Sequence, residues 1–136
     1  WWGLDLFDAE DLQSPETLDF LARAHAHGKP VMIGEATPRR VGVDRGDESW
    51  QDWFEPYFDL LATQPGIKMS SYINWDWTGR GVNEMSNWSD WGNGRLECNP
   101  VVRERWRREL ADPVWRCGDW DEAGLPRTDV RSRQDL

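Results

Sequence analysis

Three strand-like runs separated by helix-length spacers constrain this chain more than any other feature. The runs are WWGLDLF (1–7), VMIGE (31–35) and IKMSSYINW (67–75), each followed by a polar loop and then a helix-like stretch. Spacers that long cannot close hairpins, and strand–helix–strand crossovers make neighbouring strands parallel. Parallel strands are normally covered on both faces and need a full sheet. Two architectures meet that demand: an unusually small α/β domain, or the last three units of an eight-unit barrel of about 250 residues. The chain opens on Trp1, inside a strand run and without a Met, which favours the barrel. The expectation is therefore α/β, a (β/α)8 TIM barrel represented by strands six to eight and their helices within residues 1–116, with a polar tail over 117–136. The missing amino-terminal half of that barrel would be required for folding.

Helix punctuation supports the element order. Ser14-Pro15-Glu16-Thr17 offers a capping serine, a proline at the first helical position and an acid at the positive end of the dipole. Leu18, Leu21, Ala22 and His25 follow at helical spacing, Gly28 stops the helix, and DAEDLQ (8–13) reads as a polar loop. Ser49 is expected to cap a second helix carrying Trp50, Trp53, Phe54, Tyr57, Phe58, Leu60 and Leu61 on one broad apolar face, ending at Gln64-Pro65-Gly66. Asn99 and Pro100 open a third, which runs to about Ala111 with Glu104–Arg108 and Arg105–Glu109 as pairs four apart. A docked segment is expected at Val114-Trp115, then a frayed tail.

Composition removes several functions. With 25 acidic and 16 basic residues the net charge is −9, which argues against nucleic acid as a partner. No run approaches the roughly 18 apolar residues of a membrane helix. Cys98 and Cys117 could pair or stay free, and with His25 and His27 they lack metal-ligand spacing, so neither a metal nor another cofactor is expected. Eleven tryptophans among 136 residues call for either a bulky core or an aromatic groove.

The stretch KPVMIGEATP (29–38) ends an apolar strand in a carboxylate, Glu35. Strand alternation sets Val31, Ile33 and Glu35 on one face, Gly3, Asp5 and Phe7 on one face of the first strand, and Met69, Ser71, Ile73 and Trp75 on one face of the third. Glu35, Trp75 and Phe7 would then meet at the carboxyl ends of the strands, with Asp5 one layer deeper; that end is where barrel enzymes build their sites. A charge so placed needs a reason, because burying it unpaired is costly. The structural reason would be an ion pair with a buried arginine; the functional one would be catalysis. Arg39, Arg40 and Arg80 lie on loops that could reach the same groove, as do Asp8, Asp76 and Asp90.

KPVMIGEATP followed by IKMSSYINWDW resembles the seventh and eighth strands of a retaining glycoside hydrolase of the large (β/α)8 clan, clan A, and within it glycoside hydrolase family 26, the β-mannanase-like enzymes. The resemblance covers residues 1–116 and implies hydrolysis of a β-linked plant or algal polysaccharide such as mannan. It implies Glu35 as nucleophile and Trp75 as the sugar platform beside the scissile bond. The family's sixth strand reads Gly-x-Asp-x-Tyr, which places Asp5 in the active site. Phe7 stands where the family has a tyrosine that supports the nucleophile. The second catalytic carboxyl follows strand four in this clan, outside this chain, so the chain alone would be inactive. Asp76 beside Trp75 reads as a hydrogen-bonding or subsite residue, Trp77 as a groove residue that binds substrate, and Trp88 and Trp91 as groove or core residues of the 76–97 loop. Two other readings stay open: a non-catalytic carbohydrate-binding barrel, to which Phe7 points, and a small α/β interaction domain.

Overall fold

The computed structural model describes residues 1–78, 88 and 90–115. Strands β1 (Trp2–Leu6), β2 (Val31–Ala36) and β3 (Ile67–Tyr72) form one parallel sheet in the order β1-β2-β3. Helix α1 (Pro15–Ala26) links β1 to β2. The second crossover holds α2 (Asp47–Ser49), a π-helical turn (Trp50–Phe54) and α3 (Glu55–Thr63), and α4 (Pro100–Leu110) follows β3.

Two of the three caps lie where the sequence puts them. The Ser14 side chain accepts the Thr17 N–H at 3.1 Å, and Asn99 Oδ1 accepts from the Val101 and Val102 amides at 3.0 and 3.3 Å. The second helix begins earlier than expected: Gly46, at φ 61°, turns the chain in at Asp47, so Ser49 lies within the helix and its hydroxyl accepts the Arg45 N–H at 3.2 Å. The π turn has a local cause. Pro56 has no N–H to donate and its ring crowds the carbonyl four residues back; the wider turn, closed by the Glu55 N–H onto the Trp50 carbonyl, absorbs it. The 8–13 segment is not a plain loop but a 3₁₀ turn, Ala9–Gln13, that buries Leu12 completely.

Cross-strand register sorts the two faces of the sheet. Trp2–Val31–Ile67, Leu4–Ile33–Ser70 and Leu6–Ala36–Tyr72 form rows on one face. All three long helices pack there: Phe20 of α1 lies 5.7 Å from Trp2, Tyr57 of α3 hydrogen-bonds Ser70 at 2.5 Å, and Trp106 of α4 lies 4.7 Å from Tyr72. The core under this face is aromatic. Trp50, Trp53, Phe54, Tyr57 and Phe58 are buried, with Trp106 and Trp115 against them. Trp53 stacks on Tyr57 and gives its indole N–H to the Phe7 carbonyl at 2.8 Å, satisfying a buried donor and tying this crossover to the end of β1. Truncating a ring this buried costs about 3–5 kcal/mol. Trp115 docks on Phe58 while Val114 stays in solvent. Arg105 turns to Asp47 at the start of α2 rather than to Glu109, so α4 is anchored across the fold instead of along itself.

The opposite face carries Gly3, Asp5, Met32, Glu35 and Met69, and no helix among the described residues covers it. Gly3, Asp5, Glu35 and Met69 are exposed there. Residues 117–136, expected as a tail, lie outside the described residues, as do Arg80 and Cys117.

Candidate active site at the strand ends

The site begins with an irregularity in β2. Leu4 pairs with Ile33, but the next residue, Asp5, pairs with Glu35, so Gly34 is an extra residue in the second strand. A bulge breaks the two-residue period and turns the following side chain to the other face. The expectation that Glu35 shares a face with Val31 and Ile33 therefore fails. Val31 and Ile33 are buried under the helices, and Glu35 shares the open face with Asp5 and Met32. Asp5 is not a layer deeper than Glu35 but its neighbour at the same level. Glycine at 34 leaves room for that neighbour, since a Cβ there would lie 2.9 Å from Asp5 Oδ1 and the Asp5 side chain would have to shift.

Glu35 has no ion pair among the described residues, and it is exposed. The structural explanation for its charge, a buried arginine, is absent from those residues. Arg39 and Arg40, four and five residues further on, turn to Asp8 instead.

Strand β3 stops at Tyr72, three residues short of Trp75. Its continuation pairs with a returning segment: the Gly94 N–H donates to the Trp75 carbonyl at 2.8 Å, the Trp77 N–H to the Gly92 carbonyl at 3.1 Å, and Asp76 forms an antiparallel bridge with Asn93. The same segment pins the loop after β2, because the Val43 amide donates to the Asn93 carbonyl at 2.9 Å and the Arg40 amide to the Asp90 carbonyl at 3.1 Å. Gly94 fits only as glycine. A Cβ there would lie 2.7 Å from Thr37 Oγ1 and 3.1 Å from the Trp75 carbonyl oxygen. Trp75 is thereby held at the end of β3 with 54% of its surface in solvent.

The remaining loop tryptophans neither return to the helix core nor stand apart. Trp77, Trp88 and Trp91 have ring centroids 5.0 Å from one another, with Trp88 and Trp91 stacked at 18°. Phe7 lies 4.9 Å from Trp91, so it supports this cluster. Trp88 keeps 39% of its surface exposed. Asp76 accepts from the Thr78 hydroxyl at 2.6 Å and its amide at 2.9 Å, with Arg95 at 3.7 Å; the Thr78 hydrogen bonds chiefly hold its carboxyl below the usual range. Asp76 thus shapes the turn after Trp75.

Sequence reading missed the junction of Asp8, Arg39, Arg40 and Asp90. Arg39 donates to Asp8 at 3.4 Å and to Asp90 at 3.0 Å, and Arg40 Nε donates to Asp8 at 3.0 Å. The only local signal was two consecutive arginines in a loop. Arg40 adopts φ 64°, a region few side chains visit, and its contacts with Asp8 and Glu10 hold it there.

In chemical terms the strand ends present an exposed carboxylate after a bulge, a second carboxylate beside it, and exposed indole faces in the loop after β3. That set can position a ring with one polar edge and one C–H face.

The chain matches no family model. It is similar to the β-1,3-xylanase TXYA of a Vibrio species, 28% identical over 137 residues, covering 83% of this chain and 29% of that protein. It is also similar to a β-1,3-xylanase of an Alcaligenes species, 27% identical over 137 residues, covering 83% of this chain and 28% of that protein. The chain therefore spans less than a third of the length of these curated relatives.

Proposed function

We propose that this chain is part of a glycoside hydrolase that cleaves a β-linked plant or algal polysaccharide with retention, with Glu35 as the nucleophile. The observation that carries the reading is the Gly34 bulge, which sets Glu35 beside Asp5 on the open face at the strand ends; an exposed Trp75, three residues beyond the end of β3, supports it. The similarity to two proteins named β-1,3-xylanase supports it and makes β-1,3-xylan, rather than mannan, the first substrate to try.

The chemistry follows. Glu35 attacks the anomeric carbon and forms a glycosyl ester while an acid protonates the departing oxygen; water then cleaves the ester with that same acid as base. The two carboxyl groups of such a pair stand about 5–5.5 Å apart. The acid/base would come from the part of a (β/α)8 barrel beyond this chain. Asp5 would sit on the sugar side of the nucleophile, and Trp75 would face the ring's C–H side. Support for a barrel is that all three long helices cover the Leu4–Ile33–Ser70 face while the other face, which would line the barrel, stays bare among the described residues. Residues 1–136 alone should then show weak near-ultraviolet dichroism and no cooperative melt. A sharp two-state melt from a monomer would remove the barrel.

In the full-length protein, Glu35→Ala should abolish turnover of β-1,3-xylan with the fold intact, and azide should restore part of the rate on an activated glycoside. Nucleophile loss costs several orders of magnitude, so an unchanged rate is easily recognised and would exclude Glu35. Phe7 favours a second reading, a barrel that binds carbohydrate without cleaving it, because a phenyl ring offers Glu35 no hydroxyl. Wild-type binding of xylan oligosaccharides without any product would select that reading.

A further inference from the structure

We propose that Arg39 is a positioning residue, the centre of an ionic clasp that fixes the Trp91–Trp88 stack and so sets a sugar platform remote from the reacting bond. The proposal rests on the hydrolase reading for its kinetics but not for its geometry.

Three loops meet at this guanidinium. Asp8, two residues beyond β1, accepts from Nη1 at 3.4 Å; Asp90, in the loop after β3, accepts from Nη2 at 3.0 Å; and the Arg39 amide donates to the Phe7 carbonyl at 3.2 Å. The guanidinium carbon lies 5.1 Å from the centre of the Trp91 ring. Trp91 is therefore held by Phe7, by the cation and by the Trp88 stack. The Asp8 side chain is only 14% exposed and carries Arg40 as well, at 2.5 Å, so the clasp has a fixed end. A planar cation can bridge two carboxylates while resting on an indole; an ammonium offers one charge and no plane. The angle of the exposed Trp88 face then follows from Arg39, although Arg39 touches no sugar.

The Arg39–Asp90 pair is the more exposed of the two, at 33% and 46%, so salt should loosen it first. In the full-length protein, Arg39→Gln should weaken the near-ultraviolet exciton signal of the stacked indoles. It should also raise KM on a long xylan oligosaccharide about 3- to 10-fold, the scale of an exposed ion pair plus a cation–ring contact, with kcat/KM on a short activated glycoside within about twofold. Arg39→Lys should recover little of either. Raising salt to about 0.5 M should move the wild type toward the glutamine variant and leave that variant unmoved. Melts of both variants establish that the compared molecules are folded. An unchanged exciton signal and unchanged KM in folded Arg39→Gln would overturn the clasp, and so would equal losses on short and long substrates. If the wild type turned over no glycoside but Arg39→Gln still lost the exciton signal, the hydrolase reading would fall and the clasp would stand.

Discussion

Asp5 and Glu35 are register partners on adjacent parallel strands, brought level by the single extra residue Gly34. Neighbouring strands lie about 4.8 Å apart, so the two carboxylates project side by side from one face. Like charges so close repel, and the arrangement persists because both are in solvent and both are fixed by backbone pairing.

Gly34→Ala tests that relationship without replacing either acid. The added Cβ meets Asp5 Oδ1 at 2.9 Å, the far end of a side chain that can swing aside. Stability should change by less than about 1 kcal/mol. Turnover in the full-length protein should fall about 10- to 100-fold as Asp5 is displaced. A melt beside steady-state kinetics checks both parts; full activity would mean the position of Asp5 is immaterial.

Gly94→Ala should instead be a stability variant. Its Cβ would press on the Trp75 and Ile73 carbonyl oxygens at 3.1 and 3.4 Å and on Thr37 Oγ1 at 2.7 Å, mostly backbone that cannot swing away. In the full-length protein the expected cost is about 1–3 kcal/mol, read as a lower denaturation midpoint with an unchanged slope.

Trp75 and Trp88 should separate kinetically. Stacking beside the breaking bond strengthens as the ring distorts, so Trp75→Ala should lower both kcat and kcat/KM, by on the order of 10- to 1,000-fold if the contact supplies ~1.4–4 kcal/mol. Trp88→Ala should raise KM on long oligosaccharides and leave short ones nearly unaffected. If Trp75→Ala lowered only the melting temperature, the platform would have to be placed elsewhere.

Alkaline pH should unfold the helix-covered side. Burial raises Tyr57 from 10.0 to about 12, despite the Ser70 hydrogen bond, and burial raises Tyr72 well above its usual range. The folded state holds both protons more tightly than the unfolded chain, so this stability is complete below pH 10 and is lost as pH rises toward about 12. Tyrosinate absorbance should appear together with loss of far-ultraviolet dichroism. Tyrosinate formed at pH 10 in a folded molecule would contradict the burial of these hydroxyls.

Local chemistry wrote much of this protein into its sequence. Ser14, Asn99, Pro15, Pro100 and Gly28 mark helix ends because capping and backbone geometry act within a turn or two. The β-α-β-α-β-α order followed from spacing, and Glu35 at a strand end was visible as a charge closing an apolar run. The face that Glu35 occupies was not, because a bulge is a property of two paired strands and alternation along one strand assumes there is none. The early start at Asp47 also escaped, since Ser49 is a good cap by itself and only the positive φ of Gly46 makes the turn earlier. The clasp and the indole cluster were beyond reach for the same reason. Arg39 meets Asp8 and Asp90 across 31 and 51 residues of chain, and Phe7 meets Trp91 from the other end of the sheet. Periodicity and capping reach a few residues along the chain, whereas strand register and loop return decide which distant groups stand beside one another.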